Sequence, residues 1–137
     1  MPKNILVGVD GSDSSRRAAE TAAALAASTG ATLHVMMATE DKERGEAEYV
    51  GDVRLQSPAE AIATEIAESL SGIVPSVHAG PAHGKPGEAL VTVAKDIGAD
   101  LIVVGNRRVQ GIGRILGSVA TDVAQHAPCD VYIVKTV

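Results

Sequence analysis

Glycine and arginine crowd one segment near the end of this chain. Leu101–Val104 is a short apolar run and Gly105 ends it. Arg107, Arg108, Gly111, Gly113, Arg114 and Gly117 follow before a helical pattern opens at Ser118. A strand, a glycine-bearing loop and a helix N-terminus in that order form an anion site. Glycines let backbone N–H groups approach a phosphate, and the first turn of a helix offers unpaired donors and a partial positive charge. The arginines add full charges to the same loop. Nucleotide or phosphate binding is the chemistry these residues suggest, although the same glycines would also serve a tight, solvated surface loop. Arg108 has two readings. Its guanidinium contacts a phosphate through a charge-assisted bond, or its side chain fills the space the phosphate needs. Ser118 is expected to cap the following helix, with any phosphate contact added to that role.

Other chemistries find less support. His34, His78, His83 and His126 show no metal-ligand spacing, and His34 alternates within a strand as a core residue would. Cys129 is the single cysteine, which excludes an internal disulfide and a multi-cysteine metal site; it is expected to pack as a small hydrophobe. No Ser/His/Asp or Cys/His set can be defended from spacing, so no catalytic residue and no metal ligand is assigned. Phe and Trp are absent and the tyrosines are Tyr49 and Tyr132, whereas a base-stacking nucleic-acid binder needs aromatic platforms. The net charge of −5 points the same way. No signal peptide and no membrane-spanning run is visible, so a cytoplasmic location is expected.

The elements that must position this loop alternate. Asn4–Val9 reads as a strand ending in the turn Asp10-Gly11-Ser12. Ser14 or Ser15 caps an alanine-rich helix that runs to about Thr29, with Gly30 as its stop. Thr32–Met37 is a second strand. Thr39–Gln56 is polar and aperiodic, and reads as a long functional or mobile loop. Ser57-Pro58-Ala59-Glu60 is a helix start with cap, N1 proline and capping-box glutamate. Val74–Ala79 is a third strand and Pro81–Pro86 a mobile segment. Pro86 opens a helix that ends before Gly98, Leu101–Val104 is a fourth strand, Ser118–His126 a helix and Val131–Thr136 a fifth strand. The length of 137 residues fits one domain spanning 1–137. Five strands alternating with four helices predict an α/β fold with a doubly wound parallel sheet and helices on both faces. Ligands then bind beyond the carboxyl ends of the strands. Asp10 sits at that edge, where it could meet a ribose or serve only as a turn residue.

Over essentially its full length the chain resembles the universal stress protein (UspA) family. The resemblance is carried by Ile5-Leu-Val-Gly-Val-Asp-Gly-Ser12, Leu33-His-Val35, Gly84-Lys-Pro-Gly-Glu-Ala-Leu90, Ala99-Asp-Leu-Ile-Val-Val-Gly-Asn106, Leu116-Gly-Ser-Val119 and His126-Ala-Pro-Cys-Asp-Val-Tyr-Ile-Val134. It implies a Rossmann-like sheet of the adenine nucleotide alpha hydrolase type, in the order 3-2-1-4-5, and a homodimer. ATP-binding members of the family carry Gly-x2-Gly-x9-Gly-(Ser/Thr) in this loop. Carried over, the first glycine is Gly105 and the last pair is Gly117-Ser118. Arg108 stands at the second glycine, and the spacer Val109–Leu116 is one residue short. The resemblance also implies that Asp10 meets the ribose side, that Gly8, Val9 and Val35 wall the adenine, and that Val104 and Val119 flank the phosphate loop. Arg107 and Arg108 join them as expected nucleotide contacts.

The expectation is a stress-response module that binds an adenine nucleotide, ATP first with AMP and cyclic AMP as alternatives, and Mg2+ as a companion of the phosphates. It is not expected to be an enzyme, because no general base is evident to direct water at a phosphoryl group. The apolar edge Val131–Val134 invites antiparallel pairing with a second copy. No nucleic-acid or membrane partner is expected. The rival is an interaction protein of the same fold that binds no nucleotide because of Arg108 and the shortened loop. A phosphoacceptor domain would need an aspartate after the third strand, where His78-Ala79-Gly80 stands, and a flavin carrier would need aromatics.

Overall fold

The computed structural model describes residues 1–40, 48–106 and 116–136. In chain order the elements are β1 (Asn4–Val9), α1 (Asp13–Thr29), β2 (Thr32–Thr39), β3 (Glu48–Val50), β4 (Val53–Leu55), α2 (Pro58–Leu70), β5 (Val77–His83), α3 (Pro86–Ile97), β6 (Leu101–Asn106), α4 (Ser118–His126) and β7 (Asp130–Lys135). Five strands form one parallel sheet in the order β5-β2-β1-β6-β7. That is the expected order once the antiparallel pair β3–β4 is skipped in counting.

Strands covered on both faces need apolar residues at successive positions, and β1 supplies them. Ile5, Val7 and Val9 pack with α1 and α2, while Leu6 packs with α3 and α4. The face of α1 is alanine: Ala18, Ala19, Ala22, Ala23 and Ala26 repeat at helical spacing and are fully buried. Gly30, at φ 74°, ends the helix as expected. Ser57 caps α2 by accepting from the Glu60 N–H, with Pro58 in the first turn.

Several boundaries differ from expectation. Ser12, not Ser14 or Ser15, caps α1 by accepting from the Ser15 N–H. Val74 is buried but lies in the turn that follows α2, where its N–H bonds back to the Leu70 carbonyl. Pro75 has no N–H for a ladder, so β5 begins at Val77 and runs on to His83. Pro81 is tolerated there because β5 is an edge strand; the segment expected to be mobile thus begins in the sheet. Within the expected long loop, β3 and β4 form a hairpin around Gly51, at φ 63°. β2 and β6 each run two residues further than expected, to Thr39 and Asn106.

Candidate functional site

A cavity of about 550 Å3 opens beyond the carboxyl ends of β1 and β6, the side on which an open α/β sheet binds ligands. Three parts of the chain build it. The first is the turn from β1 into α1. Asp10 Oδ1 accepts from the Ser12 N–H at 2.9 Å, and Gly11 between them adopts φ 84°. The Ser15 hydroxyl accepts from the Asp10 N–H and donates to the Ser12 carbonyl. This small network fixes Asp10, which is exposed, at the cavity's edge.

The second part is apolar. Val9, Met36, Ala38, Leu90 and Val104 line the wall. Leu90 reaches it from α3 because Gly8 leaves room: a Cβ at Gly8 would stand 2.4 Å from Leu90 Cδ1. The third part is the crossing from β6 to α4. A Cβ at Gly105 would lie 3.3 Å from the Ser14 carbonyl and 3.4 Å from Thr136 Cγ2. The Ser14 and Thr136 hydroxyls bond to each other, and Arg17 Nη1 donates to the Thr136 carbonyl at 2.8 Å. Gly105 is therefore closely packed between α1 and the end of β7, and a side chain there would need its neighbours to give by a few tenths of an ångström, quite apart from any ligand.

At the far side of the crossing, Gly117 is the N-cap of α4 and Ser118 its first helical residue, so Ser118 does not cap it as expected. The first backbone bond of α4 runs from the Thr121 N–H to the Gly117 carbonyl. The N–H groups of Ser118, Val119 and Ala120 therefore have no acceptor within the helix, the usual state of a first turn. Asn106 Oδ1 accepts from the Gly117 N–H at 3.0 Å.

Of the expected contacts, Gly8, Val9, Asp10, Val104, Gly105, Gly117, Ser118 and Val119 all line this one cavity. Val35 does not. Its side chain is fully buried on the opposite face of the sheet, against α1 and α2, and its neighbours Met36 and Ala38 take the place expected of it. Arg107 and Arg108 lie outside the described residues, as do Gly111, Gly113 and Arg114. Ser12 and Asn106 belong to the turn and the loop expected at this edge but were not named as contacts, and Ser14, Ser15, Pro86 and Leu90 were not anticipated as lining. The serines follow directly on Asp10 and Asn106 directly on Gly105, so proximity in sequence could have suggested them. Leu90 and Pro86 come from α3 and carry no local signal.

The histidines and the cysteine stand away from this wall. His34 Nε2 lies 3.1 Å from Asn4 Oδ1, at the amino end of the sheet, and its ring is 5.4 Å from that of His78. Burial, and then the neighbouring His78, hold His34 below the usual imidazole range. Burial, reinforced by Asp130 and Asp100, pushes the Cys129 thiol up, as suits a residue packed against the core. Among the described residues no group of three metal-ligating side chains comes together, and no helix is long and apolar enough to cross a membrane.

Comparison with known proteins gives the arrangement a context. The model of the universal stress protein family matches residues 1–135. Universal stress protein Rv1636 of Mycobacterium tuberculosis is 38% identical over 144 residues, covering 98% of this chain and 97% of the relative. A universal stress protein of Thermus aquaticus is 38% identical over 143 residues, covering 98% and 100%. A solved universal stress protein in complex with cAMP is 35% identical, covers 99% of each chain and superposes with a TM-score of 0.82.

Proposed function

This chain belongs to the universal stress protein family, and we propose that it binds an adenine nucleotide in the cavity between the β1–α1 turn and α4. The observation that carries the proposal is the convergence of an apolar wall, an exposed carboxylate and a helix N-terminus on one cavity of about 550 Å3. Such a cavity is of small-ligand size, and the parts suit a base, a ribose and a phosphate in turn. The relative in complex with cAMP adds support for the adenine nucleotide class. ATP is the first candidate by the family's loop motif, with AMP and cyclic AMP as the alternatives and Mg2+ accompanying the phosphates where there are several.

The role is regulatory binding in a stress response, in the cytoplasm, without efficient catalysis. Among the described lining residues Asp10 is the only carboxylate, and its Oδ1 already accepts from Ser12. No histidine or cysteine lines the described wall. The proposal includes a homodimer formed by antiparallel pairing of β7. β7 and β5 are the two edges of the sheet, and β5 carries Pro81, which cannot donate to a new ladder. Light scattering at micromolar concentration is expected to give a dimer, and Ile133→Pro to yield monomers or unfolded chain; a monomeric parent protein would remove this part.

Calorimetric titration with ATP, AMP and cyclic AMP, together with mass spectrometry of ligand released from the purified protein, tests the nucleotide role. Binding to the native state must also raise its melting temperature. Failure to bind any of the three would leave the same-fold interaction protein, with Arg108 and the shortened spacer as the reason.

A further inference from the structure

One polar side chain on the cavity wall has its two ends in different circumstances. Asn106 is the last residue of β6 and lines the cavity. Its amide accepts a hydrogen bond from the Gly117 N–H at 3.0 Å, across eleven positions of chain. Because Gly117 offers a donor, the amide oxygen must be the end that meets it. The Nδ2 end then keeps both its donors, and among the described residues no partner takes them. Next along the wall, α4 begins with the N–H groups of Ser118, Val119 and Ala120, which have no acceptor within the helix.

We propose that Asn106 is a phosphate-positioning residue: its Oδ1 anchors the start of α4 to β6, and its Nδ2 donates to a phosphate oxygen seated at the first turn of α4. This rests on the nucleotide reading given above and adds a residue to it. The side chain comes from β6 and the backbone donors from α4, so the contact itself uses no residue of the intervening segment. It therefore offers a way for a chain with a shortened spacer, and without the family's second glycine, to hold a phosphate.

Titration of adenosine, AMP, cyclic AMP and ATP into the parent protein, Asn106→Ala and Asn106→Asp tests this, with the ligand-free melting temperature of each recorded. Asn106→Ala removes anchor and donor together. Asn106→Asp keeps an acceptor for Gly117 and a carboxylate suited to a helix start, but replaces the donors with negative charge. The expected result is that affinity for the phosphate-bearing ligands, relative to adenosine, falls about tenfold in Asn106→Ala and about a hundredfold in Asn106→Asp. Adenosine should bind within about twofold of the parent in both, and Asn106→Asp should melt no lower than the parent. An unchanged ratio in Asn106→Ala overturns the role, including the case where Asn106→Asp alone loses affinity through charge repulsion. A loss in Asn106→Ala with none in Asn106→Asp also overturns it, leaving Asn106 as an anchor only. A parent protein that binds none of the four ligands overturns the nucleotide reading itself, and this proposal with it.

Discussion

The two sides of the cavity differ in how they use their polar groups. On the β1–α1 side, Asp10, Ser12 and Ser15 spend hydrogen bonds on one another, so the turn is set before any ligand arrives. On the β6–α4 side, the first-turn N–H groups of α4 have no acceptor within the helix, and one side chain, Asn106, spans the crossing. The first side offers a preformed shape; the second offers open donors. On the function proposed above, a ligand's sugar suits the former and its phosphates the latter. Preformed shape costs a ligand little ordering entropy, while open donors gain most when an anion replaces water.

The largest effect on folding should come where the two sides meet. Gly105→Val pushes side-chain atoms toward the Ser14 backbone and Thr136, and is expected to destabilise the fold by about 1–3 kcal/mol as overpacking does. Denaturant melts would show it, and an unchanged midpoint would mean that the two sides are not packed through Gly105.

Asp10 tests the preformed side. Asp10→Ala should weaken nucleotide binding by about 1.5–3 kcal/mol, the usual worth of a hydrogen bond to a charged group. Asp10→Asn retains an oxygen for the Ser12 N–H and isolates the charge. Calorimetry that gives parental affinity for both variants, with normal circular dichroism, would take Asp10 out of the site.

Arg108 belongs to the segment between β6 and α4. Arg108→Gly restores the family's glycine, yet it is expected to weaken ATP binding by about 1 kcal/mol relative to adenosine, and less as salt rises. Tighter ATP binding by the variant would show instead that the guanidinium obstructs the phosphate.

The smallest effects should come from the opposite end of the sheet, and they sharpen the comparison by leaving the cavity untouched. Asp100 Oδ2 accepts from the N–H groups of Lys3 and Asn4, and these bonds hold its carboxyl below the usual range. Its contribution is present above the unfolded-state value of about 3.9 and is lost as pH falls through the lower folded value. His34 is also held low. As pH falls below about 6.5 the unfolded chain takes up a proton that the folded chain resists, so stability declines there too. Urea titrations across pH 7.5–3 should show both slopes, with His34→Gln flattening the upper and Asp100→Asn the lower. Nucleotide affinity at pH 7.5 should be indifferent to either substitution.

Much of this was legible in the residues, and the failures have physical causes. The apolar runs of β1 and β6 and the stops at Gly30 and Gly98 placed the layers and the site's edge. Val35 was carried over from the family resemblance, and the residues gave no check on it because β2 is apolar on both faces: Leu33, Val35, Met36 and Met37 do not say which of them look toward α3. The cap of α1 was missed because Ser12, Ser14 and Ser15 are chemically equal candidates; only Ser12 has the extended backbone that a cap needs. The β3–β4 hairpin did leave a signal, Val50-Gly-Asp-Val53 between short apolar stretches, which the surrounding acidic residues obscured. Leu90 could not be found from sequence, since its place on the wall depends on the space left by Gly8 across the sheet.

The contacts around Gly105 bear on how a motif is inherited. A glycine favoured by close packing against Ser14 and Thr136 can persist under selection for folding alone, even in a lineage whose cavity had fallen idle. Its presence is therefore poor testimony to ligand use. Testimony must come from neighbours the scaffold can spare, and on this wall the donor end of Asn106 is such a neighbour: a chain with no phosphate to hold could lose it while keeping its fold.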